Sequence, residues 1–376
     1  MRATLGIARE RNGDHGVRST RLNRCYRRLA ALALVSAAIA GCQPTLLAPV
    51  AGTSGPVHLV IDAGSSGTRY CPFQIETPRA GHCSAIAKPG DNPCIAIEAR
   101  NGLADLEPAE VENVLNDGLK RLPAVVRAKV RSAAVLGTGG FRRRPEADQQ
   151  KTIGVIERWF DRQRIPASAK VISGDEEGRL AWLAVRELNG SRRHTIIETG
   201  GATVQIASGE NGSVRVVSAP TGMNDGRRRL QADPRFRVCE STDRSANGLD
   251  ADRCIALVAE QVFSGSMTAK PGFAIDATAY GLGAPWVAIF DRYLKVDRIN
   301  LVSLRNLAGR VCRMSATEVI AAGYDDGPFA AMACYLISYH VAQIESTGVI
   351  KEVLRASESW PRGAAVDGKY FASCSL

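Results

Sequence analysis

Two short segments of this chain share a layout that few folds accommodate: an apolar strand, an acidic residue, a glycine-rich turn and a second strand. The first follows the apolar residues 57–61 and reads Asp-Ala-Gly-Ser-Ser-Gly-Thr-Arg over residues 62–69. The second follows the apolar residues 195–197 and reads Glu-Thr-Gly-Gly-Ala-Thr-Val-Gln over residues 198–205. Two such hairpins in one chain predict a duplicated architecture in which the two turns bind one ligand from opposite sides.

The residue types of these turns favour phosphate as that ligand. Small residues let backbone N–H groups approach an anion closely, and consecutive N–H groups form an anion-binding nest. A carboxylate at the strand end cannot bind phosphate, but it can hold a hydrated divalent cation that bridges phosphates. Neither turn is a Walker A loop, because no Gly-Lys-Ser/Thr follows the glycines.

Two further segments lie between the hairpins. Residues 133–142 read as a strand that enters a glycine turn and ends at Arg142, and residues 171–182 read as a strand, a turn and a helix with an acidic start. Acidic side chains in a first helical turn favour the helix dipole, which is a purely structural explanation for Asp175 and Glu176. Beside two phosphate loops, a carboxylate of this helix start can instead take a proton from an attacking water.

These four segments, in this order, resemble the first four conserved regions of the apyrase family, the ecto-nucleoside triphosphate diphosphohydrolases. Cys312 and the Cys334-Tyr335 segment resemble the family's paired-cysteine region, and residues 358–365 resemble its terminal Ser-Trp-x-x-Gly-Ala segment. The resemblance spans roughly residues 57–366, with a poor match over 207–300. It implies an α/β, actin/hexokinase-like (ribonuclease H-like) duplicated two-domain fold with the active site in the cleft between the domains.

The resemblance also implies a role for individual residues. Glu177 matches the catalytic general base, Thr203 and Gln205 match the residues that position the attacking water, and Asp62 and Glu198 match the acids that hold Mg²⁺ or Ca²⁺ through its waters. The implied phosphate-binding residues are Gly64, Ser65, Ser66, Gly67, Thr68, Arg69, Thr138, Arg142, Gly200, Gly201 and Ala202. Tyr280 and Trp286 are candidates for stacking on a nucleobase, with ordinary core packing as the alternative.

The predicted activity is divalent-metal-dependent hydrolysis of the terminal phosphates of nucleoside tri- and diphosphates by water attack. Two alternatives stay open: an exopolyphosphatase or guanosine pentaphosphate phosphatase, and a non-enzymatic nucleotide-binding surface lipoprotein. The Glu-Glu-Gly segment followed by Trp182, the Ser359-Trp360 segment and predicted export favour the first activity. We expect a monomer.

The N-terminus has the layout of a targeting segment. An arginine-rich stretch ends at Arg28, the apolar residues 29–39 follow, and Ala-Gly-Cys closes the segment at Cys42. This pattern predicts a secretory signal peptide over residues 1–42, with lipidation of Cys42 because the last residues resemble a bacterial lipobox. An uncleaved anchor and a plain secretory signal are the alternatives. Residues 43–56 read as a tether, so we expect an exported lipoprotein, anchored in the membrane and facing the periplasm or the cell surface.

Charge and cysteine content fit this interpretation. The net charge is +10, and residues 1–42 contribute +6 of it through eight arginines and two acids, so the remainder is only mildly basic and indicates no nucleic-acid partner. Of the ten cysteines, eight remain when Cys25 and Cys42 are set aside. An even number in an exported protein favours disulfides, and sequence proximity suggests the pairs Cys239–Cys254 and Cys312–Cys334, with buried thiols as the alternative.

The predicted domain division follows from the hairpins. Residues 57–171 together with 352–376 form a first domain that carries the first phosphate loop. Residues 172–351 form a second domain that carries the general base and the second loop. The arginine triplets at 142–144 and 227–229 either steer a polyanionic substrate or are solvated faces.

Overall fold

The computed structural model describes residues 55–76, 84–86, 94–97, 102–190, 193–240, 248–325 and 329–371. The predicted signal peptide, Cys42 and most of the predicted tether lie outside the described residues. So do Cys83 and Cys374.

The first sheet is built on a hairpin whose inner strand is apolar along its whole length. β1 (Val57–Ala63) is buried at every position and pairs antiparallel with β2 (Thr68–Glu76) and parallel with β5 (Val130–Gly137). A strand that is buried on both faces requires such a continuous apolar run. β3 (Ser84–Ile86), β4 (Ile95–Ile97) and β6 (Ala167–Val171) complete the order β3-β2-β1-β5-β6, with β4 paired to β2.

The second sheet repeats this arrangement. β7 (Arg193–Thr199) pairs antiparallel with β8 (Val204–Glu210), and β8 pairs antiparallel with β9 (Ser213–Ala219). β10 (Thr278–Leu282) and β12 (Glu352–Arg355) continue the sheet in parallel, and β11 (Arg298–Asn300) lies at the edge. When β4 and β11 are set aside, each sheet has five strands. Their order across the sheet is β3-β2-β1-β5-β6 in the first and β9-β8-β7-β10-β12 in the second, which is the same order in chain terms. The predicted duplication of the architecture is therefore confirmed.

The α-helices of the described residues connect and cover the two sheets. Those before the second sheet are α1 (Pro108–Arg121), α2 (Ala124–Arg127), α3 (Gly139–Arg142), α4 (Glu146–Gln163) and α5 (Gly174–Asn189). Those that follow its first three strands are α6 (Met223–Leu230), α7 (Ala251–Val258), α8 (Ala284–Ala288), α9 (Leu301–Val311), α10 (Ala316–Ala321), α11 (Ala333–Thr347) and α12 (Trp360–Asp367). α7 and α8 each continue into a π-helical turn, and 3₁₀ turns occur at Leu103–Asp105, Pro234–Val238 and Ala330–Met332.

Helices α5 and α12 form a layer that joins the two sheets. α5 packs on β7, β8 and β9, and α12 packs on α5 and on β1, β2 and β3. One apolar cluster therefore contains Val60 of the first sheet and Ile196 of the second, together with Trp182 of α5 and Trp360 of α12. The two sheets that carry the hairpin turns therefore pack on one shared core.

The predicted division of the chain stays a prediction, with one exception that the strand pairing decides. β12 (Glu352–Arg355) was assigned to the first domain by sequence, but it pairs with β10 and β11 in the second sheet. The following helix α12 does contact the first sheet. The chain therefore leaves the second sheet only after Arg355, because β12 completes that sheet before α12 crosses to the first.

Three disulfides connect described residues. Cys239–Cys254 and Cys312–Cys334 confirm the two predicted pairs, and Cys71–Cys94 joins β2 to the residue that precedes β4. Disulfides of this number are typical of exported proteins. In the part of the chain that the structure describes, none of the helices has the length and apolar character needed to span a membrane.

Candidate active site

The first hairpin turn is tight and brings a carboxylate and a guanidinium together. The Gly64 N–H donates to the Gly67 carbonyl (3.0 Å), and Gly67 has a φ of 152°, a conformation that favours glycine. Asp62, the penultimate residue of β1, lies directly opposite Arg69 in the strand register. The Arg69 Nε donates to the Asp62 carboxylate at 2.7 Å, and its Nη2 makes a second contact with the same oxygen.

The second turn is held from outside as well as from within. The Gly200 N–H donates to the Thr203 carbonyl (2.9 Å), and the start of α6 covers the loop, with the Asn224 N–H donating to the Gly201 carbonyl at 2.8 Å. A Cβ added to Gly201 would lie 2.9 Å from Ser65 Oγ of the first turn. The two predicted phosphate loops are therefore in direct contact with each other.

The glycine pair of the third segment fits between the two loops. A Cβ added to Gly139 would lie 2.9 Å from the Cβ of Ala202, and one added to Gly140 would lie 2.8 Å from the Cα of Ser65. Residues without a Cβ are required for this close approach. As a result α3 carries Arg142 into the space where both loops meet.

Glu177 lies at this same point because of how α5 begins. The Ser173 side chain accepts a hydrogen bond from the Glu176 N–H (3.0 Å), which caps the helix. A Cβ added to Gly178 would lie 2.5 Å from Val216 Cγ1, so glycine lets α5 lie directly on β8 and β9. Glu177 is 6% exposed and accepts hydrogen bonds from Arg142 Nη2 (2.8 Å) and Gln205 Nε2 (3.1 Å).

Thr203 and Gln205 belong to the same hydrogen-bond network. Thr203 Oγ1 accepts from Arg142 Nη2 (3.1 Å) and from Gln205 Nε2 (3.0 Å), and Gln205 also reaches Ser218 Oγ at 3.2 Å. The predicted base and the two residues predicted to position water therefore share donors. Such a network fixes the orientation of each member.

The electrostatics of the site are those of buried acids with too few counter-ions. Burial raises the pKa of Asp62, although Arg69 acts in the opposite direction. Burial also raises the pKa of Glu177, against the effect of Arg142. Burial raises the pKa of Glu198 furthest above its ordinary value, and the neighbouring charge of Glu177 adds to it. Additional positive charge would stabilise the ionised form of these carboxylates.

The residues present fit a hydrated divalent cation. Glu198 Oε2 is buried and has no hydrogen-bond partner among the described residues, and the same holds for Thr68 Oγ1. The described part of the chain contains no group of three or more His, Cys, Asp or Glu side chains that could hold a metal ion. The unpaired Glu198 oxygen can accept a hydrogen bond from a metal-coordinated water, and the Asp62 carboxylate, although paired with Arg69, is the second acid that could do so.

The remaining predicted residues lie at different depths. Thr138 is buried at the start of the glycine segment, and Ser66 is exposed at the tip of the first turn. Gln205 Oε1 is buried and has no hydrogen-bond partner among the described residues.

The two aromatic residues predicted to stack on a nucleobase do not join this cluster. Trp286 is fully buried and packs edge-on against His340 (4.5 Å between ring centroids), so the prediction for Trp286 is wrong: its ring has no free face. Tyr280 is half-buried in β10 and meets His194 edge-on at 6.1 Å. Trp286 is therefore a core residue, which was the alternative given for both aromatic residues.

Two contacts at the site involve residues that sequence reasoning had left out of it. Asp225 of α6 donates its N–H to the Gly201 carbonyl (3.0 Å) and pairs with Arg143 Nη1 at 2.9 Å. It also pairs with Arg228, so both arginine triplets contribute to one ion cluster beside the second loop. The only available signal was the triplets themselves, because residues 207–300 match the family pattern poorly.

Comparison with known proteins gives a distant relationship. No family model matches the chain. Over 169 residues it is 28% identical to the human nucleoside diphosphate phosphatase ENTPD5, covering 39% of this chain and 37% of that protein. Over 178 residues it is 26% identical to human ectonucleoside triphosphate diphosphohydrolase 6, covering 42% of this chain and 35% of that protein. The matches thus span little more than a third of the length of these relatives.

Solved structures show the fold. An Aquifex aeolicus Ppx/GppA phosphatase superposes with a TM-score of 0.58 at 17% identity, covering 83% of this chain and 98% of that one. A Neospora caninum nucleoside triphosphate hydrolase superposes with a TM-score of 0.51 at 12% identity, covering 92% of this chain and 96% of that one. The fold class predicted from sequence, an actin/hexokinase-like α/β fold with two related sheets, is confirmed.

Proposed function

We propose that this chain hydrolyses the terminal phosphoanhydride bond of nucleoside tri- and diphosphates, with Glu177 as the general base. The observation that carries the proposal is the position of Glu177. Its carboxylate is buried, and Arg142 and Gln205 hold it where the two glycine-rich turns meet. A carboxylate at that point is placed to take a proton from a water that attacks a phosphate bound by both turns.

Each turn contributes a different part of the phosphate site. The backbone N–H groups around Gly64 and Gly201 and the hydroxyl groups of Ser65 and Thr68 supply donors for phosphate oxygens. Mg²⁺ or Ca²⁺, which Asp62 and Glu198 would hold through its waters, would supply positive charge that offsets the phosphates. Positioning and electrostatic stabilisation account for most of the acceleration of phosphoryl transfer, so these groups are expected to contribute more than the base.

The chemistry of Glu177 follows from its partners. Its raised pKa increases its basicity, while the Arg142 guanidinium keeps the ionised form accessible. Thr203 Oγ1 and Gln205 lie within hydrogen-bond distance of each other, and both are in position to orient a water next to the carboxylate.

One observation favours the second candidate, an exopolyphosphatase-type hydrolase. Of the two aromatic residues expected to bind the base, Trp286 is enclosed by the core and Tyr280 packs against His194. A substrate without a nucleobase needs no stacking platform. The two candidates share the phosphate chemistry and differ only in what the protein recognises beyond it.

We also propose that the protein acts outside the cytoplasm as a lipoprotein anchored through Cys42. The three disulfides support export. Fractionation of cells that express the wild type or a Cys42→Ser variant tests the anchor: the variant should leave the membrane fraction, and a variant that stays there contradicts lipidation at Cys42.

The deciding experiment measures phosphate release by the purified protein. The substrates are ATP, ADP, GTP, UTP, AMP, pyrophosphate and long-chain polyphosphate, each with Mg²⁺, Ca²⁺ or EDTA. We expect metal-dependent release from nucleoside tri- and diphosphates and none from AMP. The Glu177→Gln variant should lose about 10²–10⁴-fold in kcat, the usual contribution of a general base.

A matched control separates chemistry from folding. Glu187 lies exposed near the end of the same helix, so Glu187→Gln should retain wild-type activity. Release from polyphosphate alone would establish the second candidate. Near-full activity of Glu177→Gln would overturn the assigned base, and nucleotide binding without any release would indicate a binding protein.

A further inference from the structure

The two neighbouring acids at the start of α5 point to different parts of the molecule. Glu177 faces Arg142, whereas the Glu176 carboxylate accepts hydrogen bonds from Arg179 Nε (2.8 Å) and Nη2 (2.9 Å). Two residues near the C-terminus reach the same carboxylate: the Lys369 ammonium lies 2.5 Å from Oε1, and the Tyr370 hydroxyl donates to that oxygen.

Glu176 is therefore a charged anchor and not a second base. Burial alone would raise its pKa, but the hydrogen bonds from Arg179, Lys369 and Tyr370 hold the pKa at about 2. A carboxylate ionised at every physiological pH keeps its three donors in place.

The chain reaches Glu176 through a defined turn. α12 ends at Asp367, and Gly368 adopts a φ of 70°, which reverses the chain and directs Lys369 and Tyr370 back towards α5. Asp367 accepts hydrogen bonds from Arg179 Nη1 (3.2 Å) and Nη2 (2.9 Å). Arg179 thus joins Glu176 to the end of α12.

The helices themselves are in backbone contact just below this turn. A Cβ added to Gly363 of α12 would lie 1.8 Å from the Leu180 carbonyl oxygen of α5. Glycine is required at that position, because any side chain would separate the two helices. The absence of a side chain at Gly363 therefore allows α12 to pack closely against the first turns of α5.

The other end of the segment is fastened to the first sheet. The Phe371 ring lies 5.3 Å from the His58 ring of β1, edge-on, and His58 Nδ1 is 2.7 Å from Ser132 Oγ of β5. β1 carries Asp62 next to its last residue and leads directly into the first predicted phosphate loop. The C-terminal segment therefore contacts both the strand that carries that loop and the helix that carries Glu177.

We propose that Asp367, Lys369 and Tyr370, through Glu176 and Arg179, form a C-terminal clamp that positions Glu177 relative to the first phosphate loop. The proposal rests on the proposed function of Glu177 as the base. Tyr370 is then a positioning residue, because it acts through Glu176 and does not contact the substrate. The first turn of a helix is its most weakly held part, because its N–H groups lack helical partners, so an anchor at Glu176 acts where it is most needed.

The first test removes one hydroxyl. Tyr370→Phe keeps the ring, which packs beneath the Lys170 ammonium at 4.3 Å, but it removes the donor to Glu176. We expect kcat to fall about three- to tenfold with KM within twofold, because small displacements of a catalytic group lower the rate more than they weaken substrate binding. Tyr293→Phe is the matched control: this buried hydroxyl has no hydrogen-bond partner among the described residues.

The second test asks whether the effect acts through Glu176. Glu176→Gln keeps an oxygen that can accept from Tyr370, so it should retain more kcat than Glu176→Ala. In the Glu176→Ala background, Tyr370→Phe should cause no further loss, because its partner is already absent. Independent, additive losses, or kcat within twofold of wild type for Tyr370→Phe, would overturn the clamp.

The third test does not depend on activity. Amide hydrogen exchange of residues 174–180 should become faster in Tyr370→Phe, while residues 183–189 of the same helix and the Tyr293→Phe control should match the wild type. Unchanged exchange over 174–180 overturns the clamp. If the wild-type protein hydrolyses no substrate, the proposed function fails, and hydrogen exchange still decides the clamp.

Discussion

The guanidinium group of Arg142 lies 2.8 Å from the Glu177 carboxylate and 3.1 Å from Thr203 Oγ1, both through Nη2. Nη1 of the same residue donates to the Ile172 carbonyl at 2.9 Å. One side chain therefore connects the glycine segment, the turn before α5 and the second loop. Because this cation opposes the effect of burial on the pKa of Glu177, it extends to lower pH the range in which the proposed base is ionised.

Replacing Arg142 should shift the pH dependence of the reaction. In Arg142→Met the pKa of Glu177 rises further, so the acidic limb of the kcat/KM profile moves to higher pH and activity near neutral pH falls. The measurement is kcat/KM from pH 5 to 9. Arg144→Met is the control, since Arg144 pairs with Asp105 and Asp148 and not with Glu177. An acidic limb that stays in place would contradict the pairing.

Gly178 and Gly309 offer a matched pair of glycine-to-alanine substitutions within helices. A Cβ on Gly178 would lie 2.5 Å from Val216 Cγ1 and 3.1 Å from Gln205 Cβ, whereas one on Gly309 meets no atom within 4 Å. Gly178→Ala should reduce the free energy of unfolding by about 1–3 kcal/mol through overpacking and should displace Glu177 from Gln205. Gly309→Ala should increase it by about 0.5–1 kcal/mol, because alanine is the better helix former.

Urea denaturation and kcat check both variants of that pair. We expect a loss of both quantities in Gly178→Ala and unchanged kcat in Gly309→Ala. A Gly178→Ala variant as stable and as active as the wild type would show that α5 can lie further from β8 and β9 without consequence.

The Cys71–Cys94 disulfide should support the first phosphate loop. It ties β2 to the residue immediately before β4, and the Ile97 carbonyl of β4 would lie 3.3 Å from a Cβ on Gly67. Its sequence separation is 23 residues, so replacing both cysteines with alanine should cost about 3 kcal/mol of stability. The measurement is urea denaturation together with the dissociation constant for a non-hydrolysable nucleotide.

The Cys312–Cys334 disulfide is the control, with a sequence separation of 22 residues. Its removal should cost a similar amount of stability and leave nucleotide affinity unchanged. Equal effects of the two disulfides on affinity would mean that Cys71–Cys94 has no particular connection with the loop.

In the wild-type protein the negative charge of Asp225 should weaken the attraction between the proposed site and a polyanionic substrate. It pairs with Arg143 and Arg228 beside the second loop. Asp225→Asn leaves both guanidinium groups without this counter-charge, so KM for ATP should fall about two- to fivefold at low salt and the difference should vanish near 0.5 M salt, where the screening length is only about 4 Å. Asp252→Asn, a change at an exposed acid on α7, should leave KM unchanged. A rise in KM would show that Asp225 serves to hold Arg143 in place.

Local sequence patterns were sufficient to predict the two hairpins and two of the three disulfides between described residues. Apolar strands followed by glycine turns became β1–β2 and β7–β8, because strand alternation and turn chemistry are decided by neighbouring residues. Cys239–Cys254 and Cys312–Cys334 were found by proximity along the chain. Cys71–Cys94 could not be chosen in this way, since eight cysteines left many pairings open.

The predictions that failed concern contacts between distant segments. Trp286 is of a residue type that can stack on a nucleobase, but α11 places His340 against its ring. The residues that neighbour Trp286 in sequence do not reveal what packs on that ring in the fold. The strand Glu352–Arg355 lies in the predicted first domain but pairs within the second sheet, because a four-residue strand does not reveal its pairing partner in its sequence.

By itself the sequence determined the chemistry that is present: two acid-led glycine turns, an arginine after a glycine pair, and two consecutive glutamates at a helix start. Residue types alone leave open which glutamate belongs to the proposed site, and the family resemblance favours Glu177; the tertiary structure adds the contacts that separate the two side chains. Consecutive residues of a helix point about 100° apart, so the two carboxylates can face different neighbouring elements. β8 packs on the side of α5 that presents Glu177, and the segment after α12 packs on the side that presents Glu176.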